Sequence, residues 1–278
     1  MTSVLTRPEL LPERTPTRRH YVMCPPTHFA VEYAINPWMQ PGTPVDRDLA
    51  TDQWEALRRT YVELGHEVTV VEPVPGLPDM VFAANGATIV GGRVYGARFR
   101  HAQRAAEAEA YRKALVDVGP FTEPAFVNEG EGDLLTAGDV ILAGTGFRTD
   151  PKAHAEAARV LRRPTLGLEL VDPRYYHLDT ALAVLGDHDI AYLPEAFSPR
   201  SRGILAGRYP DAVLASPVDA AVLGLNAVSD GGHVVLPAAA TGLAAALSER
   251  GYVPVGVDLS ELLKAGGGPK CCTLEVRT

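Results

Sequence analysis

The residues of this 278-residue chain that could carry covalent or acid–base chemistry are three cysteines, eight histidines and 34 carboxylates. Cys271 stands out because it follows Gly266-Gly267-Gly268-Pro269, a run whose backbone can take unusual dihedrals and let a ligand approach closely. The competing reading is an inert buried thiol, the commoner fate of a lone cysteine. A thiol nucleophile needs a proton shuttle that titrates near neutrality, and His177 in YYHLDT can serve; taken alone, it would be as well explained by a core histidine. Glu129, Glu131 and Asp133 occupy alternate positions of EGEGD. On a strand they would share one face, where three like charges require a cation or hydrogen-bond donors; on a loop they would be solvated. Asp79 follows Pro78 and is either a turn cap or a ligand-binding carboxylate. Arg98, Arg100 and Arg148 lie in GARFR and GTGFRTD, and an arginine fork pairs with a carboxylate in bidentate fashion. A surface ion pair is the plainer role for any one of them. Cys272, next to Cys271, is expected on the opposite face of a strand, in the core.

Other chemistries lose their sequence support. The chain contains no C-x-x-C, H-E-x-x-H, G-x-S-x-G or Walker A pattern, and its G-x-G pairs lack the third glycine of a dinucleotide loop. Three cysteines, two of them adjacent, make no disulfide framework and suit a reducing cytoplasm. The net charge of −8 argues against a nucleic-acid partner. No apolar run approaches the roughly 18 residues of a membrane span, and the polar N-terminus lacks the apolar centre of a signal peptide. Residues 1–18 read as a loose tail and 19–278 as one domain.

The elements that must position these residues recur in a fixed order. An amphipathic helix is followed by a short β-run, a loop, a strand, a hairpin turn and another strand. Helices are expected at Asp52–Leu64, Ala102–Val118, Pro151–Leu161 and Ala239–Arg250, with Asn85-Gly86 and Gly91-Gly92 as turn signals. Copies are spaced by about 42–56 residues, a period typical of propellers and arrays. An open doubly wound sheet is the alternative, but it usually carries one strand per helix, against about three here. The last copy breaks off after one strand, and HYVMCPP near the N-terminus would supply its partner and close a ring. Equivalent loops of the copies then carry Asp79 and Asn85, Glu129 to Asp133, His177 and Asp179, Asn226, and Cys271, all directed at one central cavity. A thiol, an imidazole and several carboxylates are the parts for covalent catalysis on a cationic group.

Five segments, PDMVFAAN, EGEGD, GFRTD, YYHLDT and GGGPKCCT, stand in the order found in the guanidine-modifying superfamily, and the chain resembles that superfamily from Tyr21 to Thr278. Its members are dimethylarginine dimethylaminohydrolases, arginine deiminases, arginine dihydrolases and amidinotransferases. The resemblance implies a five-bladed α/β propeller of ββαβ repeats, in agreement with the ring. It implies a cysteine-dependent hydrolase of the guanidino group of arginine or N-methylated arginine, working through a covalent thiouronium, with no metal and no organic cofactor. Carried over residue by residue, Cys271 looks like the nucleophile, His177 like the general acid/base and Glu129 like the guanidinium holder. Asp79, Asn85, Asp133, Arg98 and Arg148 look like substrate-binding residues, with Asn36 at the cavity mouth. One departure concerns specificity: dimethylargininases commonly end the first motif with Glu-Asp, where this chain has Ala84-Asn85. Arginine dihydrolases carry an asparagine there. The partner implied is a small cationic amino acid; an apolar helix face such as Ala238–Leu247 suits a homodimer surface, but core packing explains it as well.

Overall fold

A computed structural model describes residues 13–278. Its strands are β1 (His20–Met23), β2 (Glu67–Val70), β3 (Ala87–Val90), β4 (Arg93–Gly96) and β5 (Phe121–Thr122). The chain continues through β6 (Leu134–Ala137), β7 (Val140–Thr145), β8 (Thr165–Glu169), β9 (Leu182–Gly186) and β10 (Asp189–Tyr192). It ends with β11 (Val213–Leu214), β12 (Val228–Ser229), β13 (His233–Pro237), β14 (Val253–Val257) and β15 (Leu274–Glu275). Among the described residues these form five separate three-stranded sheets, ordered β15-β1-β2, β3-β4-β5, β6-β7-β8, β9-β10-β11 and β12-β13-β14. In each, the first two strands pair antiparallel and the third joins parallel to the second. A parallel step needs a crossover, and a helix supplies it every time. The crossover helices are α1 (Arg47–Glu63), α2 (Glu107–Ala114), α3 (Pro151–Leu161), α4 (Pro199–Arg208) and α5 (Thr241–Glu249). The ββαβ unit repeats five times, as the sequence period predicts.

The ring closes between the two ends of the chain. Tyr21 lies opposite Glu275 and Val22 opposite Leu274, so the N-terminal strand completes the last blade. Helix starts follow local chemistry. The Asp46 side chain accepts from the Leu49 N–H at the head of α1, and Asp150 accepts from the Lys152 N–H with Pro151 in the first turn of α3. The helix faces then pack inward, with Trp54, Leu57 and Tyr61 of α1 buried against Tyr21 and Cys272.

Several expectations are corrected. The first helix begins five residues earlier than expected, because Asp46 caps it. The expected helix 102–118 divides into a 3-10 turn, Ala102–Arg104, and the shorter α2. Of the loose tail 1–18, residues 1–12 lie outside the described residues, while 13–18 are laid on the ring. There Arg14 stacks 4.1 Å over the Tyr252 ring and pairs with Asp189 at 3.0 Å, and the Thr17 N–H donates to the Asp230 carbonyl. Leu243 and Leu247 of α5 pack into the core, while Ala238, Ala239 and Ala245 are exposed. No helix among the described residues is long and apolar enough to cross a membrane.

Candidate active site

The five blades bring one turn each to the same end of the ring, immediately before their first strands. These turns carry Asn85 before β3, Glu129–Asp133 before β6, His177–Asp179 before β9, Asn226 before β12 and Cys271 before β15. Hydrogen bonds stitch the turns together. Asn226 Oδ1 accepts from the Cys271 N–H at 3.0 Å and the Gly268 N–H at 3.1 Å, while its Nδ2 donates to Cys271 Sγ at 3.1 Å and to the Asp179 carbonyl at 3.2 Å. The Ala84 N–H donates to the Cys271 carbonyl at 3.0 Å. Asn85 Nδ2 donates to the Glu129 carbonyl at 3.3 Å.

The Cys271 thiol is 2% exposed and donates to Asp179 Oδ2 at 3.3 Å. Burial, then the Asp179 carboxylate, push the thiol well above its ordinary range, so the resting sulfur is protonated. The same burial raises the Asp179 carboxyl to about 6, against the opposing pull of His177 and Lys270. Cys272 is fully buried in the core as expected, although the chain here is a turn and β15 begins only at Leu274.

His177 is likewise enclosed. Its Nε2 lies 2.8 Å from Glu129 Oε2, which also accepts from Arg148 Nη1 at 2.8 Å, and Glu129 Oε1 accepts from the Arg100 N–H at 3.1 Å. Burial alone would raise Glu129, but the Arg148 guanidinium and His177 outweigh it and hold the carboxyl far below the usual range. An ionised Glu129 assigns the Nε2 proton to His177. His177 Nδ1 is buried and without a partner.

A third group surrounds Asp79. Its Oδ2 accepts from Tyr33 Oη at 2.8 Å and lies 3.9 Å from Arg104 Nε, whereas Oδ1 is buried with no partner. Asp179 Oδ1 is also buried and partnerless. The loop between β1 and α1 covers the site: Tyr33 reaches Asp79, the Ile35 carbonyl accepts from Arg148 Nη2 at 2.8 Å, and Trp38 Nε1 donates to the Arg174 carbonyl at 2.8 Å.

The structure thus brings together Cys271, His177, Glu129, Asp79, Asn85 and Arg148. Three expectations change. The segment EGEGD is not a strand: Gly130 at φ +53° begins a 3-10 turn that sends its three acids in different directions. Glu129 goes to His177; Glu131 pairs with Lys270 at 2.7 Å; Asp133 accepts from the Leu178 N–H at 3.0 Å and the Thr149 hydroxyl at 2.7 Å. With both oxygens occupied, Asp133 braces the His177 turn instead of facing a ligand. Arg98 is exposed and donates to the Ala125 carbonyl at 2.8 Å, because it emerges on the outer side of the bridge to Asn128. The arginine that enters the site from this region is Arg104. Asn36 serves the covering loop: its Oδ1 accepts from the Trp38 and Met39 N–H groups and its Nδ2 donates to the Ala265 carbonyl at 3.1 Å. Sequence reasoning passed over Tyr33, Arg104 and Glu107. The i, i+3 spacing of Arg104 and Glu107 on a helical stretch was the one available signal for the last two.

No family model matches the chain. It is 58% identical over 265 residues to a Mycobacterium tuberculosis protein named N(G),N(G)-dimethylarginine dimethylaminohydrolase, across 95% of this chain and 87% of that relative. The structure of a cysteine-to-serine mutant of the N-terminal domain of ArgZ, a cyanobacterial arginine dihydrolase bound to substrate, superposes with a TM-score of 0.89 at 32% identity, covering 93% of this chain and 98% of that one. DDAH from Pseudomonas aeruginosa, a cysteine-to-serine mutant complexed with citrulline, shares the fold at a TM-score of 0.78 and 18% identity, covering 93% and 99% of the two chains. Five ββαβ blades, a buried thiol facing a carboxylate, a carboxylate-held imidazole and a relative of this identity agree: the chain is a hydrolase of the dimethylarginine dimethylaminohydrolase family, within the guanidine-modifying superfamily.

Proposed function

We propose that this chain hydrolyses N-methylated arginine to citrulline and an alkylamine, with Cys271 as nucleophile. The observation that carries the reading is a pair of buried carboxylate oxygens without partners, Asp79 Oδ1 and Asp179 Oδ1, in the site that holds Cys271 and His177. A buried acceptor left unpaired costs about 1–3 kcal/mol. A guanidinium presents N–H donors and positive charge, and so satisfies both oxygens. Glu129, expected to grip this cation, is already committed to Arg148 and His177. Its role is to hold the imidazole, and the grip passes to Asp79 and Asp179.

The guanidinium is resonance-stabilised and a poor electrophile. Bound beside the sulfur, the cation draws the raised thiol pKa down and favours the thiolate. The thiol proton passes to His177 Nδ1, and the thiolate forms a C–S bond at the guanidino carbon. His177 protonates the departing nitrogen through Nδ1, the C–N bond breaks, and the amine leaves. Nδ1 then takes a proton from water, the hydroxide adds to the thiouronium carbon, the C–S bond breaks, and citrulline and the thiol are restored. Arg148, beside the covering loop, has donors to spare for the substrate carboxylate. One feature favours a second reading, arginine dihydrolase: Asn85 places an amide where a dimethylargininase commonly has an acid.

The deciding experiment incubates the protein separately with asymmetric dimethylarginine and with L-arginine and identifies products by mass. Citrulline with dimethylamine is expected. Turnover of arginine alone, with ornithine and ammonia, would transfer the chain to the dihydrolase reading. Cys271→Ser is expected to bind substrate and abolish turnover; appreciable remaining activity would remove Cys271 from its role.

A further inference from the structure

Arg104 and Glu107 lie behind the reacting groups, and both are buried, at 3% and 0% exposure. Glu107 grips Arg104 at both oxygens, accepting from Nε at 2.9 Å and from Nη2 at 2.7 Å, and has no other hydrogen-bond partner. Arg104 in turn donates through Nη1 to Asn85 Oδ1 at 2.8 Å and through Nη2 to the Asp79 carbonyl at 3.2 Å, with its guanidinium 4.7 Å over the Phe99 ring. A guanidinium can only donate, so the amide atom facing it must be the oxygen. That fixes the other end of Asn85: its NH2 points at the Glu129 carbonyl. The amide is also closely packed. A Cβ on Gly132 would lie 2.4 Å from Asn85 Nδ2 and 3.2 Å from the His177 ring, so amide, glycine and imidazole are packed in one stack.

We propose that Glu107 is a positioning residue of the reaction: through Arg104 it fixes the Asn85 amide, and through that amide the Glu129–His177 pair. The claim rests on the hydrolase reading above for its kinetic consequence but not for its structural one. Glu107→Gln removes one of the two acceptors and the charge that holds Arg104. Arg104 then releases Asn85 Oδ1, and the amide is free to turn. Displacements near 1 Å in a catalytic constellation cost on the order of 10²-fold in rate.

Two measurements test this. In a crystal structure of Glu107→Gln, Arg104 is expected to leave Asn85 Oδ1 and the amide to rotate or to occupy two orientations; an unchanged Arg104–Asn85 contact would overturn the proposal. In a kinetic double-mutant cycle with dimethylarginine, Glu107→Gln and Asn85→Ala are each expected to lower kcat, and the double variant to be no slower than Asn85→Ala alone. Losses that multiply would mean that Glu107 does not act through Asn85 and would overturn the proposal. If the wild-type protein turned over neither substrate, the hydrolase reading would fail, while the crystal structure would still decide what Glu107 positions.

Discussion

At the scale of single residues, the site opposes two costs of burial. Cys271 is held as a thiol and Asp179 is raised to about 6, both chiefly by burial. On the proposed mechanism the substrate cation relieves both, which would link binding to nucleophile activation. The direction of the pH effect follows. Asp179 offers a charge to the guanidinium only above about 6, so kcat/KM for a cationic substrate is expected to fall by up to about tenfold per pH unit below that value. A pH–rate profile from 4.5 to 8 checks this, and Asp179→Asn should lose this limb along with most of its activity. A buried carboxyl with a raised pKa destabilises the fold where it is ionised, so Asp179→Asn is also expected to raise Tm at pH 7.5 by a few degrees. A lower Tm would mean that Asp179 has structural partners beyond Cys271.

At the scale of elements, the turns before the first strand of each blade do the positioning, and small residues make them close enough. Gly130 is the sharpest case. Its φ is +53°, and a Cβ there would stand 2.6 Å from the carbonyl oxygens of Ala84 and Ala87. Those backbone atoms belong to the turn carrying Asn85 and to β3, and they cannot move without displacing that turn. Gly130→Ala is therefore expected to cost about 2–4 kcal/mol, from left-handed strain and overpacking together, and to abolish turnover. Urea unfolding and a product assay measure the two effects. A variant with wild-type stability would show that the EGEGD turn is softer than its contacts imply.

At the scale of the whole molecule, the ring is joined where the chain ends meet, and a polar latch sits beside the seam. Asp230 Oδ2 lies 2.8 Å from His233 Nδ1 and 3.4 Å from His66 Nε2, while His66 Nδ1 accepts from the Arg19 N–H. The Thr17 hydroxyl donates to the Asp230 carbonyl at 2.8 Å, so the latch also fastens the segment leading into β1. Burial would raise the Asp230 carboxyl, but hydrogen bonds from His66, His233 and two backbone N–H groups hold it far below its ordinary value. A depressed carboxyl contributes stability that is complete above the unfolded pKa of about 3.9 and is lost as pH falls through the folded value. Asp230→Asn is expected to lower stability at pH 7 and to flatten its decline below pH 4, both read from Tm against pH. An unchanged acid limb would exclude Asp230 as a source of the acid sensitivity.

The sequence by itself determined the repeat and the closure of the ring by HYVM, and it singled out Cys271 and His177 as candidates for the reacting pair. These are legible because strand and helix periods, turn residues and the order of the motifs are all local properties of the chain. It also placed Asp179 and Asn226 at equivalent loop positions, though not their contacts. What it could not determine was how acids and arginines pair across blades. Glu129, Glu131 and Asp133 look equivalent along the chain, and only the positive φ of Gly130 parts them toward His177, Lys270 and the Leu178 N–H. Arg98 and Arg104 are likewise interchangeable by type, yet one emerges outside the bridge to Asn128 and the other is buried between Asp79 and Glu107. Ion pairing in a buried site is decided by distances between residues far apart in sequence. Those distances exist only once five separate turns have been brought to one end of the ring.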